Sequence, residues 1–383
     1  MNRIRNLRLP FWSVPLALLG VTLLAYGVLA ARQGFYWDDW PFAWIGRTFG
    51  LEGFARYFAT NRPLRAYFYG LVFPLLGDHP LHWQVLSIAL RWLTAVSLWW
   101  VLCLTWPRDK TQMTWVTLLF LVYPGFSQQV IAVNYSSFFF VQTLFHVSLA
   151  LTLIAIRGPQ RLLLTLAALA LSALNLFTLE YFVGLEVLRV VFIWLVTAAE
   201  TPRARLVSTL KAWWPYAALL GIYLFWRVFI FGFILYKPEL VTQAAAAPAQ
   251  TLLSLPLTVI RDLATAGLTV WLMAFRLPDV DAFGRASTLV YALLTLGGSA
   301  LTTLYLARLA SGDPHPDSDS RRARANGWMA LGLFAMLLAG GIFWVLKLVI
   351  RPEFPNDRFL LPFALGAAFF VVGLTERFAR PDW

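Results

Sequence analysis

The sequence is poor in charge. Only 13% of its 383 residues are Asp, Glu, Lys or Arg, whereas 60% are hydrophobic and 16% aromatic; a typical soluble domain has roughly 25% charged residues. A chain of this composition cannot cover a surface with polar groups, so a soluble globular domain is excluded. The composition is typical of a protein that crosses the membrane many times.

Residues that form disulfides or bind metals are also scarce. The chain has one cysteine, Cys103, so it can form neither an internal disulfide nor a cysteine cage for a metal. It has four histidines, and its sequence contains no HExxH, CxxC or Walker A pattern. The spacing of His79 and His82 could suit a divalent metal, but no other motif indicates one, and we expect that no cofactor is required.

Long apolar runs dominate the sequence. A bilayer core of roughly 30 Å requires about 20 apolar residues per helix, and the chain supplies this length repeatedly. The sequence therefore predicts an all-α, polytopic membrane helix bundle in a single transmembrane domain, 1–383, with about ten transmembrane helices and additional interfacial or re-entrant helices. The predicted spans are 11–31, 81–106, 113–133, 136–156, 162–179, 181–199, 212–232, 286–308, 327–349 and 358–375.

Basic residues are distributed between the apolar runs. The excess of 31 Lys and Arg over 19 Asp and Glu, formally +12, therefore indicates membrane topology and not nucleic-acid binding. If the interrupted run 251–275 crossed the membrane, the basic cluster 321–324 would lie outside. We therefore predict that 251–275 is re-entrant or interfacial, that both termini are cytoplasmic, and that 32–80 and 233–285 are the large extracytoplasmic segments of a protein in a bacterial cytoplasmic membrane.

Two adjacent carboxylates open the first of these outer segments. Asp38 and Asp39 lie between Trp37 and Trp40, and such aromatic residues favour the membrane interface and exclude water. Partial desolvation would raise the pKa of a carboxylate towards a value suited to a general base, while a nearby arginine would limit the rise. One of the two is a candidate catalytic base, with Asp38 preferred. The alternative is a pair of solvated acids at a loop entrance.

Three arginines are candidates for binding a phosphate. Arg62 and Arg65 precede a short apolar run, 66–76, which cannot span a membrane and is predicted to form an interfacial helix near the lipid headgroups. Arg358 would lie in the first turn of the last span, where free N–H groups and a guanidinium both favour an anion. For each arginine the alternative is ordinary anchoring at the interface.

Further charged residues lie at or within the predicted spans. Glu180, at the outer turn between the fifth and sixth spans, could line a substrate cavity. Glu186 and Arg189 are three residues apart within the sixth span and are expected to form a structural pair. Arg91 lies about 15 Å along the second span and is too deep to reach the interface, so it is expected to face protein or a cavity.

Taken in chain order, these features resemble the GT-C superfamily of multispanning glycosyltransferases. The branch most similar comprises protein O-mannosyltransferases, aminoarabinose transferases and tetratricopeptide-repeat membrane mannosyltransferases. The resemblance covers the first seven spans and the last outer loop, through the acidic pair, the Pro63-Leu64 motif that opens the interfacial helix, and the Arg358-Phe-x-x-Pro362 motif. The large C-terminal domain usual in the family has no counterpart here, and 251–285 matches no part of the family.

The resemblance implies inverting transfer of a sugar from a polyprenyl-phosphate donor to an acceptor hydroxyl at the extracytoplasmic face. In this family an acidic residue of the first outer loop acts as base, which matches Asp38 or Asp39, and a late outer arginine faces the donor phosphate, which matches Arg358. A single phosphate leaving group makes a metal dispensable. The implied partners are the donor, membrane lipid and an acceptor that is a glycan, lipid or protein.

Two other classes remain open. An O-antigen polymerase or ligase would share the many spans and the outer arginines, but its large catalytic loop normally comes late in the chain, whereas the loop richest in candidate residues here comes first. A lipid or oligosaccharide transporter would also carry intramembrane Arg and Glu. Transporters more often show repeat symmetry between their halves, and this sequence shows no internal repeat.

Overall fold

The computed structural model describes residues 8–231, 237–276, 278, 280–309 and 318–378. This part of the chain is helical and contains no strand, and nine of its helical segments are long and apolar enough to cross a membrane. The predicted all-α, polytopic membrane bundle is confirmed. Arg3, Arg5 and most of the predicted inner linker 311–320 lie outside the described residues.

The described part of the chain contains sixteen α-helices, joined by short 3-10 helices, two π-helical segments (Leu23–Gly27 and Trp226–Ile230) and turns. The 3-10 helices that matter for the site are Glu180–Phe182 and Asn356–Phe363. In chain order the α-helices are α1 (Val14–Thr22), α2 (Asp39–Thr48), α3 (Gly50–Phe58), α4 (Arg65–Leu76), α5 (Pro80–Thr105), α6 (Lys110–Leu121), α7 (Ala132–Arg157), α8 (Arg161–Thr178), α9 (Val183–Val196), α10 (Pro202–Phe225), α11 (Glu239–Ala246), α12 (Pro248–Gly267), α13 (Val280–Phe283), α14 (Arg285–Arg308), α15 (Ser318–Val345) and α16 (Ala364–Phe378).

Contacts between distant parts of the chain define two ends of the bundle. At one end, which we call the loop end, the short helices α2, α3 and α4 pack together, and Arg227 donates a hydrogen bond to the Asn61 carbonyl (2.9 Å). At the opposite end, Arg324 near the start of α15 forms an ion pair with Asp109 (3.0 Å), which lies between α5 and α6. The segments 107–112 and 321–326 therefore share one end.

The core is built on two sets of packed helices. The long helix α7 packs along both α5 and α8, and α15 packs along α16. The pair α15 and α16 approaches closely because glycines face each other: a Cβ on Gly332 would lie 2.6 Å from the Gly366 carbonyl oxygen, and one on Gly366 would lie 2.6 Å from the Gly332 carbonyl oxygen. Small residues of this kind let membrane helices pack backbone against backbone.

Two predicted spans contain shorter helices than expected. Helix α6, which begins three residues before the predicted span 113–133, has 12 residues and ends at Leu121, and α9, within 181–199, has 14. At 1.5 Å per residue they rise about 18 and 21 Å, less than the bilayer core. Pro124 explains the end of α6, because proline disfavours the helical conformation of the residue before it. The chain then continues to the loop end without an α-helix over 122–131.

The apolar run 251–275 is likewise not one helix. It contains most of α12 and the 3-10 helix Thr269–Phe275, with a break at Leu268. In α12, Asp262 is buried and accepts a hydrogen bond from the Trp344 indole N–H of α15 (3.0 Å). Asp262, one of the two charged residues that interrupt the run in sequence, thus attaches α12 to α15, while Arg261 is exposed and pairs with Asp262 (2.9 Å).

The flanks of this region lie at the same end of the bundle. The preceding helix α10 leads to Arg227 at the loop end. The following helix α14 finishes at the opposite end, where the Leu9 N–H donates to the Arg308 carbonyl (2.7 Å) and Lys110 lies 5.6 Å from the Phe11 ring centroid. With about 36 Å of helical rise, α14 begins at the loop end. The stretch between α10 and α14 thus begins and ends at the loop end, as a re-entrant or interfacial segment would. Pro248–Phe275 is nevertheless long and apolar enough to cross a membrane.

Candidate functional site

The candidate site lies at the loop end, and its first part is the turn before α2. Trp37 has a positive φ of 47°, which is uncommon for a residue other than glycine, and its ring packs edge-on against Phe354 with centroids 4.8 Å apart. The two carboxylates that follow this turn have different surroundings. Asp38 is half-buried, whereas Asp39 is completely buried.

Asp39 binds the N-terminus of α7. Its Oδ1 accepts a hydrogen bond from the Asn134 backbone N–H (2.9 Å), one of the first-turn donors that have no partner within their own helix. Burial raises the pKa of Asp39 to about 7, because hydrogen bonds from backbone N–H groups, including those of Asn134 and Val133, only partly offset the desolvation. The arrangement joins α2 to α7 and leaves Asp39 with no surface open to a substrate.

Asp38 lies in the field of three arginines. Its Oδ2 accepts a hydrogen bond from the side-chain Nδ2 of Asn134 (3.2 Å). Desolvation raises the pKa of Asp38, and the positive charges of Arg65, Arg358 and Arg62 restrain the rise. The structure thus brings three of the predicted site residues, Arg62, Arg65 and Arg358, around a fourth, the partly desolvated carboxylate of Asp38, which is more basic than usual.

Asn134 connects the acidic pair to Arg65, and sequence reasoning missed it. Besides its bonds to both carboxylates, its Oδ1 accepts a hydrogen bond from Arg65 Nη2. Arg65 is 3% exposed and also donates to the Ser137 hydroxyl (3.0 Å). Arg65 therefore holds the first turn of α7 in place. The only sequence signal was the polar Asn-Tyr-Ser-Ser stretch beginning at 134, at the start of a long apolar run.

Arg62 and Glu180 are paired with each other. Arg62 Nε lies 3.0 and 2.9 Å from the two carboxylate oxygens of Glu180, and Nη2 also contacts Oε1. Burial alone would raise the pKa of Glu180, but the charge and hydrogen bonds of Arg62 outweigh it, so the pKa is lowered. Both side chains are about one-tenth exposed. The pair joins the start of α4 to the turn between α8 and α9, two regions that the sequence did not predict to touch.

Arg358 has no carboxylate partner within the described part of the chain. Its guanidinium lies 5.0 Å from the Phe359 ring centroid, and its Nε is buried without a hydrogen-bond partner among the described residues. The neighbouring Asp357 is held firmly: its Oδ2 accepts from the Ser127 N–H (2.9 Å) and hydroxyl (2.6 Å). The loop is therefore fixed while the charge of Arg358 remains available, as an anion-binding site requires.

The rings of Phe138, Tyr181 and Phe359 form an aromatic wall beside the arginines of the site. The Tyr181 ring packs edge-on against Phe138 (4.8 Å between centroids) and parallel to Phe359 (6.2 Å), and Arg62 lies 5.6 Å from its centroid. Aromatic faces attract cations and also present a large apolar surface. A wall of this kind can cover an apolar chain or a sugar ring beside the charged groups.

The charges deeper in the bundle have structural partners. Glu186 and Arg189 form the predicted ion pair (2.8 Å) and are buried. Arg91 faces protein, as predicted: it donates to the Leu121 carbonyl (2.8 Å) and to Gln129 Oε1 (3.0 Å). These side chains stabilise the packing of helices and lie outside the candidate site.

The described residues contain no group of three or more His, Cys, Asp or Glu side chains arranged to hold a metal ion. The rings of His79 and His82 are neighbours, with centroids 5.0 Å apart. His82 Nδ1 lies 2.7 Å from the Leu76 carbonyl oxygen, so one of its two ring nitrogens already has a protein partner. The spacing noted in the sequence thus gives two adjacent imidazoles at the N-terminus of α5.

Comparisons with protein-family models, with curated proteins and with solved structures found no match to this chain. An assignment of function therefore depends on the chemistry of the residues themselves. At the loop end these residues supply a carboxylate that is more basic than usual, Asp38, a cation with no carboxylate partner among the described residues, Arg358, and a bordering aromatic wall.

Proposed function

We propose that the protein is an inverting glycosyltransferase that moves a sugar from a polyprenyl-phosphate-linked donor to an acceptor hydroxyl at the loop end. One observation carries the proposal: a partly desolvated carboxylate with a raised pKa, Asp38, lies in the field of Arg358, a cation without a carboxylate partner among the described residues. Transfer from a phosphate-linked sugar needs a base for the acceptor and a positive charge for the departing phosphate.

The proposed reaction is a single displacement. Asp38 takes the proton of the acceptor hydroxyl as its oxygen bonds to the anomeric carbon. The bond from that carbon to the phosphate oxygen breaks, and polyprenyl phosphate leaves with the bonding electrons. Attack opposite the leaving group inverts the configuration. Arg358 stabilises the charge that develops on the phosphate, and Asn134 orients Asp38 through its side-chain N–H.

The contacts of Arg65 and Arg62 with other side chains determine which role each can have in the site. Arg65 acts on Asp38 through Asn134 and through its charge. Arg62 would bind a phosphate only by exchanging its contact with Glu180, so we assign the pair to positioning the loop between α3 and α4. Arg358 is then the principal phosphate ligand.

The charge distribution supports an extracytoplasmic site. The opposite end of the bundle carries the basic segments 107–112, 157–161 and 321–326 together with Arg308, and basic segments of this kind favour the cytoplasmic side. We therefore assign the loop end, with Asp38 and Arg358, to the extracytoplasmic face of a bacterial cytoplasmic membrane. A donor carried on a long polyprenyl chain stays in the bilayer, which accounts for a site built at its surface.

Binding of the carrier lipid tests the proposal. Mass spectrometry of lipids that copurify with the protein should find a polyprenyl phosphate or its glycoside. Arg358→Ala should weaken binding of undecaprenyl phosphate by about ten- to 150-fold, the loss expected when a charge-assisted hydrogen bond worth roughly 1.5–3 kcal/mol is removed. Arg351→Ala, which removes an exposed cation from the same loop, is the matched control and should bind normally.

Two results would contradict the proposal. Equal affinity of the wild-type and Arg358→Ala proteins for undecaprenyl phosphate would place the phosphate site elsewhere. Copurification of a lipid without phosphate, in repeated preparations, would argue against a polyprenyl-phosphate donor and leave the transporter class as the better interpretation.

A further inference from the structure

A second concave region lies at the opposite end of the bundle from Asp38. It is a groove of about 310 Å³ between the C-terminal part of α7, the first turn of α8 and the middle of α10. Helix α7 begins at the site with Asn134 and reaches Thr152, in this groove, after about 27 Å of helical rise. The groove and the candidate site are therefore separated by most of a bilayer core and cannot share a ligand headgroup.

The mouth of the groove is positively charged. Arg161 and Lys211 line it, are exposed, and form no ion pair within the described part of the chain. Arg161 is also the first residue of α8, where Gln160 makes no side-chain capping bond, so the first N–H groups of that helix add positive charge at the same point. No carboxylate lines the groove.

The inside of the groove is apolar and has a rigid floor. Leu162 and Ala212 contribute apolar wall, and Leu162 is 73% exposed, so the groove opens sideways towards the lipid-facing surface. On the floor, the Thr152 and Tyr216 hydroxyls bond to each other (2.9 Å), and the buried Arg189 donates to Thr152 (2.8 Å). The floor hydroxyls already have protein partners and do not require a polar ligand.

We propose that this groove binds an anionic glycerophospholipid from the adjoining leaflet, independently of the function proposed above. The headgroup phosphate would lie at Arg161 and Lys211, and an acyl chain would lie along the wall formed by Leu162 and Ala212. A zwitterionic lipid brings its own cation to a positive mouth, so it binds less well. A free phosphate lacks the apolar chain that the wall accommodates. Basic pockets between membrane helices recognise anionic headgroups in this way.

Native mass spectrometry of the full-length protein in detergent tests the charge requirement. Wild-type protein should bind phosphatidylglycerol more tightly than phosphatidylcholine with the same acyl chains. Arg161→Gln and Lys211→Gln should each weaken phosphatidylglycerol binding by about fivefold, which corresponds to roughly 1 kcal/mol per cation near a membrane surface, and should leave phosphatidylcholine unchanged. Arg203→Gln, an exposed cation on α10 outside the groove, should have no effect.

A second variant tests the apolar wall without changing the charge. Ala212→Trp should fill the groove and abolish the preference for phosphatidylglycerol, whereas Leu163→Trp, at an exposed neighbouring position, should not. Inorganic phosphate and glycerol phosphate should fail to displace the lipid at equal concentration.

Three outcomes would overturn the proposal. A phosphatidylglycerol preference that survives both glutamine substitutions would show that these cations do not recognise the headgroup. A preference that survives Ala212→Trp would show that the lipid binds elsewhere. Displacement by inorganic phosphate as effectively as by lipid would identify a phosphate site with no part for an acyl chain.

Discussion

The two neighbouring carboxylates of the first loop have different tasks at the residue scale. Asp38 and Asp39 are consecutive at the start of α2, and successive helical positions point about 100° apart. Asp39 is turned into the protein, where it binds the first turn of α7, while Asp38 remains half-exposed among the arginines. Substitution by asparagine should therefore affect catalysis at Asp38 and the pH dependence of stability at Asp39.

Asp38→Asn should remove catalysis and keep the fold. Asparagine preserves the acceptor oxygen for Asn134 but cannot take a proton at neutral pH, so turnover should fall by about 10² to 10⁴, the contribution typical of a general base. The measurement is the rate of sugar release from a polyprenyl-phosphate donor, with undecaprenyl phosphate binding and melting temperature as controls for folding. Turnover above about a tenth of the wild-type rate would exclude Asp38 as the base.

Asp39 should make stability depend on pH. Its pKa is raised from 3.8 to about 7 in the folded protein, so between these values the folded protein holds a proton that the unfolded chain has released. The contribution of Asp39 to stability is therefore fully present below its unfolded pKa of 3.8 and is lost as the pH rises through about 7. The melting temperature in detergent should fall over this interval.

The Asp39→Asn variant isolates this effect. It does not titrate, so the fall in melting temperature between pH 4 and 7 should be smaller in this variant than in the wild type. Asp38→Asn, which leaves the buried carboxylate in place, should keep the part of the slope that belongs to Asp39. An equally steep slope in Asp39→Asn would mean that another group causes the dependence.

The sequence predicted some members of the site and could not have predicted others. Asp38 was recognisable because the acid and its aromatic neighbours are adjacent in the chain. Asn134 was not, because its importance depends on contacts with residues 69 to 96 positions away. The pairing of Arg62 with Glu180 bridges 118 positions, and composition gives no information on such a contact.

At the scale of elements, hydropathy was a good predictor of which segments belong to the bundle. It was a poorer predictor of where the helices in those segments end. The apolar run after Lys110 continues past Leu121, so its composition suggested a full span, but Pro124-Gly125 ends the helix early. This dipeptide is a turn signal that was available in the sequence. The break at Leu268 follows directly after Gly267, the last residue of α12, and a single glycine is a weaker signal for the end of a helix than Pro-Gly.

The contact between α15 and α16 leads to a prediction about stability. Gly332→Ala should place a methyl group 2.6 Å from backbone atoms of α16, where rigid backbone cannot yield as a flexible side chain would. Overpacking of this kind costs about 1–3 kcal/mol, so the melting temperature should fall. Tryptophan fluorescence during heating would measure it.

A matched glycine on the same helix is the control. Gly327 has no atom within 4 Å of an added Cβ, so Gly327→Ala should be neutral or stabilise by about 0.4–1 kcal/mol through its effect on the unfolded chain. If both substitutions lowered the melting temperature equally, a general effect such as an altered interaction with detergent would explain the loss, and the close approach of the two backbones would not.

At the scale of the whole molecule, long-range contacts tie the basic segments to one end. Arg324 pairs with Asp109, Arg157 donates to the Leu104 carbonyl (3.0 Å), and the segments around Leu9 and Arg308 meet. The positive-inside rule assigns six segments to the cytoplasm: 1–10, 107–112, 157–161, 200–211, 308–326 and 376–383. These contacts involve the first three and the fifth of them. The rule could therefore group the segments from sequence, and the structure adds contacts that hold four of them together at one end of the bundle.

Because these basic segments lie at one end of the bundle, labelling the two ends from outside the cell tests the membrane topology of the whole molecule. In a Cys103→Ser background, Glu353→Cys on the loop end should react with an impermeant maleimide added outside intact cells, and so should Asn61→Cys. Ser318→Cys should react only after the membrane is opened. Because Arg324 is paired with Asp109, crossing of 251–275 alone could not move Ser318 outside without breaking that contact. Labelling of Ser318→Cys from outside would therefore contradict the ten-span topology, and with it the extracytoplasmic placement of Asp38 and Arg358.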